Sequence, residues 1–349
     1  MFHTVARDFS LCGMFSHLIG ERAALLVCGS GPAMNRLFLG IDGGQSSTTC
    51  FLGDETGRVV GLGRAGPCNH VGAALGRSRF LSAVGDSVRG ALEAAGLAHD
   101  TEFASAYLGL SGGPADKESL VRTLIRAERY VVTHDAAIAL AGATSGRPGI
   151  VTIAGTGSIA FGRNAAGKTA RAGGWGYVFG DEGSAFDLVR QAVRAALRHE
   201  EGWGPRTALG ELLIEAAGAT TPNELLHRFY TDEYPRARIA ALAPLVDQAA
   251  GAGDAVAQGI LGGAAQSLAS LTGAVRGQLF GANDRVEVRY SGGVFRSAPL
   301  LARYTMLVEI GGECVAAKPD FCPAAGALIE AYRAAGVVCT LKDAPAFAD

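Results

Sequence analysis

The sequence predicts an α/β protein of two lobes that face one another across a central cleft. Each lobe is built as three strands, helix, strand, helix, strand, helix. Three observations carry this. The order of apolar runs and amphipathic stretches after residue 36 is traversed twice. A glycine-rich turn follows the first strand of each half, Asp42-Gly43-Gly44-Gln45-Ser46 and then Ala154-Gly155-Thr156-Gly157-Ser158. A hydrophobic fraction of 48% against 18% charged, over 349 residues, suffices to bury two cores of ordinary size.

In the first half, Arg36–Asp42 is a short apolar run closed by Asp-Gly-Gly, and 47–52 and 58–62 read as two further strands around Gly57. A helix is expected over 79–95, where Phe80, Val84, Val88 and Leu92 recur at four-residue steps and Gly96 stops it. A strand over 106–110, a helix over 117–128 with Leu120, Val121, Leu124 and Ile125, a strand over 130–133 and an alanine-rich helix over 135–143 complete the lobe. The second half opens with strands over 150–154, 158–162 and 169–172. A helix over 184–199 follows, with Phe186, Val189, Val193 and Leu197 on one face, and then several helices ending in a long one over 254–280. A strand over 286–290, a helix over 299–310, a strand over 314–317 and a helix over 324–335 close the plan. The expected organisation is an extension over 1–33, a lobe over 34–147 and a lobe over 148–349 with a helical insert at about 200–280. Arg147–Gly149 is the boundary. The extension reads as disordered or as lying upstream of a true start at Met34. Arg7, Asp8, Glu21 and Arg22 interrupt the signal-peptide layout that a cleaved targeting segment would need.

A formal charge of −2 offers no basic field, which argues against nucleic acid as a partner. No apolar run approaches the roughly 20 residues that span a bilayer, so no membrane association is expected. The seven cysteines are scattered without a CxxC pair, which fits a reducing cytoplasm better than a disulfide framework or a zinc site.

A single Gly-Gly hairpin turn is ordinarily nothing more than a turn. Two at equivalent points of a duplicated plan point to phosphate. Without Cβ atoms, Gly43, Gly44 and Gly157 let backbone N–H groups approach phosphate oxygens, and Ser46 and Thr156 add hydroxyl donors. Asp42 offers a carboxylate for Mg²⁺. Residues 162–169 also match the Walker A expression letter for letter, but Lys168-Thr169 runs into Ala-Arg-Ala-Gly-Gly-Trp-Gly, which does not open a helix. The segment reads instead as a turn between strands. On the acceptor side, Thr133-His134-Asp135 ends a strand at the mouth of the cleft. Asp135 is either a helix cap or a base that takes the proton of an attacking hydroxyl. Gly173–Ser184, GGWGYVFGDEGS, brings backbone close to a ligand; there Trp175 can pack on a sugar face, Asp181 can accept from sugar hydroxyls, and Ser184 can cap the next helix.

Taken together these residues resemble the BadF/BadG/BcrA/BcrD-type ATPase family, and within it the N-acetylglucosamine kinases of the actin/hexokinase superfamily. The motifs that carry the likeness are Gly40–Ser46, Cys68-Asn69-His70, LGLSGG at 108–113, Thr133–Ala137, Ala154–Ser158, Gly173–Ser184 and SGGVFRS at 291–297. The resemblance implies two ribonuclease-H-like lobes, ATP and Mg²⁺ as cofactors, a small-molecule sugar substrate, and compatibility with a homodimer. It implies Asp135 as catalytic base and Asn69, His70, Ser158, Gly174, Trp175, Gly176 and Asp181 as sugar contacts. Ser46 and Thr156 become phosphate contacts, and Gly292, Gly293 and Ser297 the adenosine-side loop at the start of a helix. Two departures stand out: Gln45 occupies the place of a third glycine, and Val71 that of an aromatic residue. The implied reaction is phosphorylation of N-acetylglucosamine at its 6-hydroxyl, with glucosamine or N-acetylmuramic acid as alternative acceptors. Dehydratase and reductase activators of the same family hold an iron–sulfur cluster with cysteines, for which Cys322 is the candidate here. A non-catalytic sugar sensor is a third possibility, disfavoured by Asp135 and both phosphate turns.

Overall fold

A computed structural model describes residues 36–68, 73–111 and 117–345 (backbone alone at 73–75); the expected extension, Asn69, His70 and Val71 lie outside the described residues. The first sheet contains β1 (Leu37–Gly43), β2 (Thr48–Asp54), β3 (Val59–Ala65), β5 (Ser105–Leu110) and β7 (Tyr130–Thr133), in the order β3-β2-β1-β5-β7. The second contains β8 (Gly149–Ala154), β9 (Ser158–Arg163), β10 (Thr169–Gly173), β11 (Val286–Ser291) and β12 (Cys314–Ala317), in the order β10-β9-β8-β11-β12. In each, the first three strands form an antiparallel meander and the last two join in parallel. The duplication expected from the sequence is therefore present strand for strand.

The helices sandwich the sheets in a pattern that the repeat alone does not reveal. In the first half α1 (Ala73–Ala95) lies on β2 and β3, and α2 (Lys117–Leu124) packs beside it. In the second half the helix in the place of α1 is the long α9 (Ala255–Leu279), which lies on β8, β9 and β10. α4 (Ala185–Glu200) instead packs among the short helices α5 (Leu209–Ala217), α6 (Pro222–Phe229), α7 (Arg236–Ala240) and α8 (Pro244–Gly251), in a core shared with α9 and α10 (Ala298–Glu309). That setting turns Leu188, Val189, Ala192 and Ala196 inward; of the expected face, Phe186 and Val193 are only partly buried.

The remaining two helices exchange sheets. α3 (Asp135–Ala143) ends the first half yet packs Ala136, Leu140 and Ala143 against Val151 and Phe161 of the second sheet. α11 (Pro323–Ala334) ends the second half yet packs Leu328 and Tyr332 on Phe38 and Phe51 of the first, with the Phe38 and Tyr332 rings 4.4 Å apart. The two helices cross at Gly142 and Gly326. A Cβ on Gly326 would lie 2.0 Å from the Ile138 carbonyl oxygen and 2.3 Å from the Gly142 nitrogen, and one on Gly142 would lie 2.4 Å from the Cys322 carbonyl oxygen.

Three boundaries differ from the sequence expectation by three residues or more. α1 begins at Ala73, six residues before the expected start at Arg79. β3 continues to Ala65 because its ladder with β2 runs on to Thr48. α2 stops at Leu124, since Arg126–Ala127 (β6) is captured by Glu102–Phe103 (β4), and the Tyr130 hydroxyl accepts from Ala127 N while donating to Ile125 O.

Backbone atoms at the crossing cannot rotate away from an added methyl. Gly326→Ala is therefore expected to cost about 3 kcal/mol and to lower Tm by roughly 5 °C or more. An unchanged thermal melt would contradict the backbone contact.

Candidate active site

Each glycine turn closes a hairpin between antiparallel strands. In the first, Gly44 N donates to Ser47 O at 2.9 Å, and in the second Gly155 N donates to Gly157 O at 2.9 Å. Between the halves lies a cleft of about 580 Å³, to which the first half contributes Gln45, Ser111, His134 and Asp135 and the second contributes Thr156, Gly157, Ser158, Gly174, Gly176 and Asp181, with Arg171 and Arg236. Most of the expected acceptor-side residues thus share one cavity with the second phosphate turn.

Asp135 is the first residue of α3, and His134 holds the cap position. Its exposed carboxylate accepts from its neighbour's backbone, Ala136 N, at 2.9 Å and from Ser111 Oγ at 2.7 Å. Ser111 belongs to the LGLSGG stretch, and its carbonyl is held in turn by the buried Lys117 ammonium at 2.7 Å. Asp42, at the end of β1, has no ion-pair partner among the described residues. Burial first, and the nearby Asp135 charge second, push its carboxyl up to about 7.

Asp181 is buried in a left-handed backbone conformation at φ 61°. Its Oδ1 accepts from Ser158 N at 3.2 Å and its Oδ2 from Arg236 at 2.5 Å. Arg236 comes from α7, donates also to Thr156 O at 3.1 Å, and lies over the rings of Tyr177 and Phe186. A Cβ on Gly157 would meet both Arg236 and Asp181 at 2.9 Å, so the glycine admits the pair beneath the turn. The Ser158 hydroxyl donates to Glu182 O, and Ser184 caps α4 by accepting from Asp187 N.

Other expected residues lie elsewhere. Trp175 is 66% exposed, with the Arg171 guanidinium 4.7 Å over its ring. Gly43 is buried at the strand end against Cys68 and Leu110, and Gly44 and Ser46 sit in the turn outside the cleft wall. Gly292 and Gly293 line a separate cavity of about 390 Å³ beside Phe295 and Lys318. Gly293 and Ser297 line another of about 260 Å³, where the Ser297 hydroxyl donates to Asp247. The loop opens first into a short 3₁₀ turn over Gly293–Arg296, and α10 follows from Ala298. Lys168 lies in the β9–β10 hairpin, where Asn164 Oδ1 accepts from Ala166 N and Lys168 N, and its ammonium reaches Gln278 O at 3.3 Å. Cys322 is partly buried at the start of α11.

Ser111 and Arg236 are functional candidates beyond those read from individual residues of the sequence. Ser111 was visible only as part of its motif. Arg236 lies 55 residues from Asp181 in a five-residue helix and gave no sequence signal.

A family model for BadF/BadG/BcrA/BcrD ATPases matches residues 39–331. The chain is 37% identical over 180 residues to the N-acetylmuramic acid/N-acetylglucosamine kinase of Clostridium acetobutylicum, spanning 52% of this chain and 59% of that protein. It is 30% identical over 271 residues to the N-acetyl-D-glucosamine kinase of Dictyostelium discoideum, 74% of this chain and 85% of that one. A solved structure from Chromobacterium violaceum, described as a candidate N-acetylglucosamine kinase, superposes with a TM-score of 0.69 at 27% identity, covering 84% of this chain and 98% of the other. The fold is thus the two-lobed actin/hexokinase type, as the sequence led us to expect.

Two measurements test these charges. Because the folded-state carboxyl of Asp42 titrates near 7 and an unfolded one near about 4, stability falls as pH rises between those values. In EDTA without nucleotide, Asp42→Asn is expected to match the parent Tm near pH 4 and to exceed it by several degrees near pH 8; a pH-independent difference would contradict this. Arg236→Gln leaves the Asp181 carboxylate buried and unpaired, and is expected to cost about 3 kcal/mol. Asp181→Asn in the same background should recover most of that loss in chemical denaturation.

Proposed function

The chain belongs to the BadF/BadG/BcrA/BcrD ATPase family, and from that premise we propose that it transfers the γ-phosphoryl group of ATP to the 6-hydroxyl of N-acetylglucosamine or a close amino-sugar relative. The observation that carries this reading is the placement of Asp135. Its carboxylate stands at the cleft between the lobes, held by Ser111 Oγ and by the first turn of α3, opposite the Thr156–Ser158 turn. A sugar hydroxyl is a poor nucleophile and must meet the γ-phosphorus in line. Asp135 accepts the hydroxyl proton as the new O–P bond forms and the bond to the departing ADP breaks. Ser111 fixes one oxygen of the carboxylate, so that the base meets its substrate in a set orientation.

The second turn supplies backbone N–H groups and the Thr156 hydroxyl to the phosphates, and the Gly292–Gly293 loop lies on the adenosine side. In this reading Asp181 acts through its ion pair: it holds Ser158 N and Arg236, and so sets the shape of the sugar wall at Gly174–Gly176. The chemistry of Asp42 fits a divalent cation. It is a partly buried carboxylate with a second carboxylate, Asp135, nearby and no cationic partner among the described residues. Asp42 would hold Mg²⁺, which when bound neutralises phosphate charge.

Asp135→Asn keeps the size of the side chain and its place in the first turn of α3 but cannot take the proton. A fall in kcat of at least about 10²-fold is expected, with sugar binding by calorimetry preserved. Turnover near the parent value would end this mechanism. A panel of amino sugars in a coupled ADP-release assay identifies the acceptor.

A further inference from the structure

We propose that the end of the cleft around Arg171 is a carboxylate subsite, so that the preferred acceptor is an amino sugar bearing a carboxylate rather than a neutral one. This rests on the amino-sugar kinase reading above and specifies its substrate class.

Strand register places the residue. β10 runs antiparallel to β9, with Arg171 opposite Phe161 and Gly173 opposite Ile159. Residues directly opposite one another share a face. Ile159 and Phe161 line the cleft, and Arg171 lines it with them. Ser158, at the phosphate turn, lies three residues before Phe161 along β9, a span of about 10 Å. Arg171 therefore stands at the end of the cleft away from Thr156 and Gly157, beyond the phosphate-facing backbone.

The charge at that end is unspent. The other cleft arginine, Arg236, is neutralised by Asp181. Among the described residues Arg171 makes no ion pair, and its guanidinium is stacked 4.7 Å over the Trp175 ring. Stacking fixes the plane of the fork and leaves its N–H edges directed outward from the ring. A neutral sugar has hydroxyl and amide groups that backbone and amide side chains satisfy equally well. A carboxylate is planar and matches a guanidinium fork in a bidentate pair, at about twice the strength of a neutral hydrogen bond. The adjoining Phe161 and Ile159 form an apolar wall suited to the carbon chain that would carry such a group.

The test compares N-acetylmuramic acid with N-acetylglucosamine as acceptors for the full chain and for Arg171→Gln. The full chain is expected to show the higher kcat/KM on the carboxylated sugar. In the variant the ratio of the two kcat/KM values should shift towards the neutral sugar by about tenfold or more, and Arg171→Lys, which keeps the charge without the fork, should fall between. A second measurement needs no variant: in the parent protein, KM for N-acetylmuramic acid should rise with salt more steeply than KM for N-acetylglucosamine. Equal losses on both sugars, or a salt dependence common to both, overturns the subsite while leaving the kinase reading in place. Absence of turnover on any amino sugar overturns that reading and the subsite with it.

Discussion

The crossing of α3 over α11 is the constraint on which the remainder of the molecule depends. Each helix closes the half it belongs to in sequence and covers the sheet of the other half, so neither sheet is buried on both faces without its partner. The exchange works only because the two helix backbones touch at Gly142 and Gly326, where no side chain fits between them. Contact this close sets the separation of the sheets to within the width of two backbones. It also places the start of α3, and with it Asp135, against Phe161 of β9, the strand that begins at the second phosphate turn. Asp135 and the Thr156–Ser158 turn come from different halves, and this crossing brings them into one cleft. A pair of packed helices at a pivot is also the kind of joint about which two lobes close on a ligand.

The charges of the cleft divide into those satisfied within the protein and those left over. Asp181 and Arg236 satisfy each other, and the pair stiffens the turn at Thr156 and the loop after Gly174. Asp42, near Asp135 but not in the cleft wall, has no cationic partner among the described residues, and burial with the Asp135 charge lifts its carboxyl to about 7. On the reading proposed above, a divalent cation held by this partly buried carboxylate would repay that cost. Arg171 is the matching case of opposite sign at the other end. On the readings proposed above, an anion at the phosphate end and a cation beyond it would orient a bound molecule along the cleft before any individual hydrogen bond is counted.

The succession of strands along the chain was legible from the sequence because apolar runs alternate with glycine turns in each half, and the second copy repeats the first; the order of strands within each sheet was not. The same signals exposed Asp42, Asp135, the turn at Ala154–Ser158 and Ser184, which caps α4 as its position before Ala185 suggested. The exchange of α3 and α11 was not legible. Both are alanine-rich helices whose apolar faces look alike whichever sheet they cover, and what distinguishes them is the packing of α3 on Val151 and Phe161 and of α11 on Phe38 and Phe51. The carboxylate of Asp181 was expected to meet a ligand because it follows a run of glycines; in the fold it is already occupied by an arginine that the sequence places 55 residues away. Trp175 followed the same logic and emerged largely in solvent. Long-range pairing leaves no periodic trace, and that is why these two assignments needed coordinates.

The residues that break the duplication are the ones that distinguish this cleft. The two meanders with their glycine turns are common to both halves, and a phosphate chain presents similar oxygens to each. Among the described residues, no helices of the first half correspond to those between α4 and α9, and these helices with the Gly173–Ser184 loop supply Arg236, Asp181 and the backbone at Gly174 and Gly176. Arg171 lies on β10, the edge strand that leads into that loop. A duplicated scaffold can change acceptor by altering this unpaired material while the strands that position Asp42, Asp135 and the second turn stay as they are. On the reading proposed above, the chemistry rests on repeated elements, while selectivity rests on Arg171 of the repeated strand β10 and on Arg236 of the inserted helix α7, and those two positions are where substitutions would redirect the acceptor.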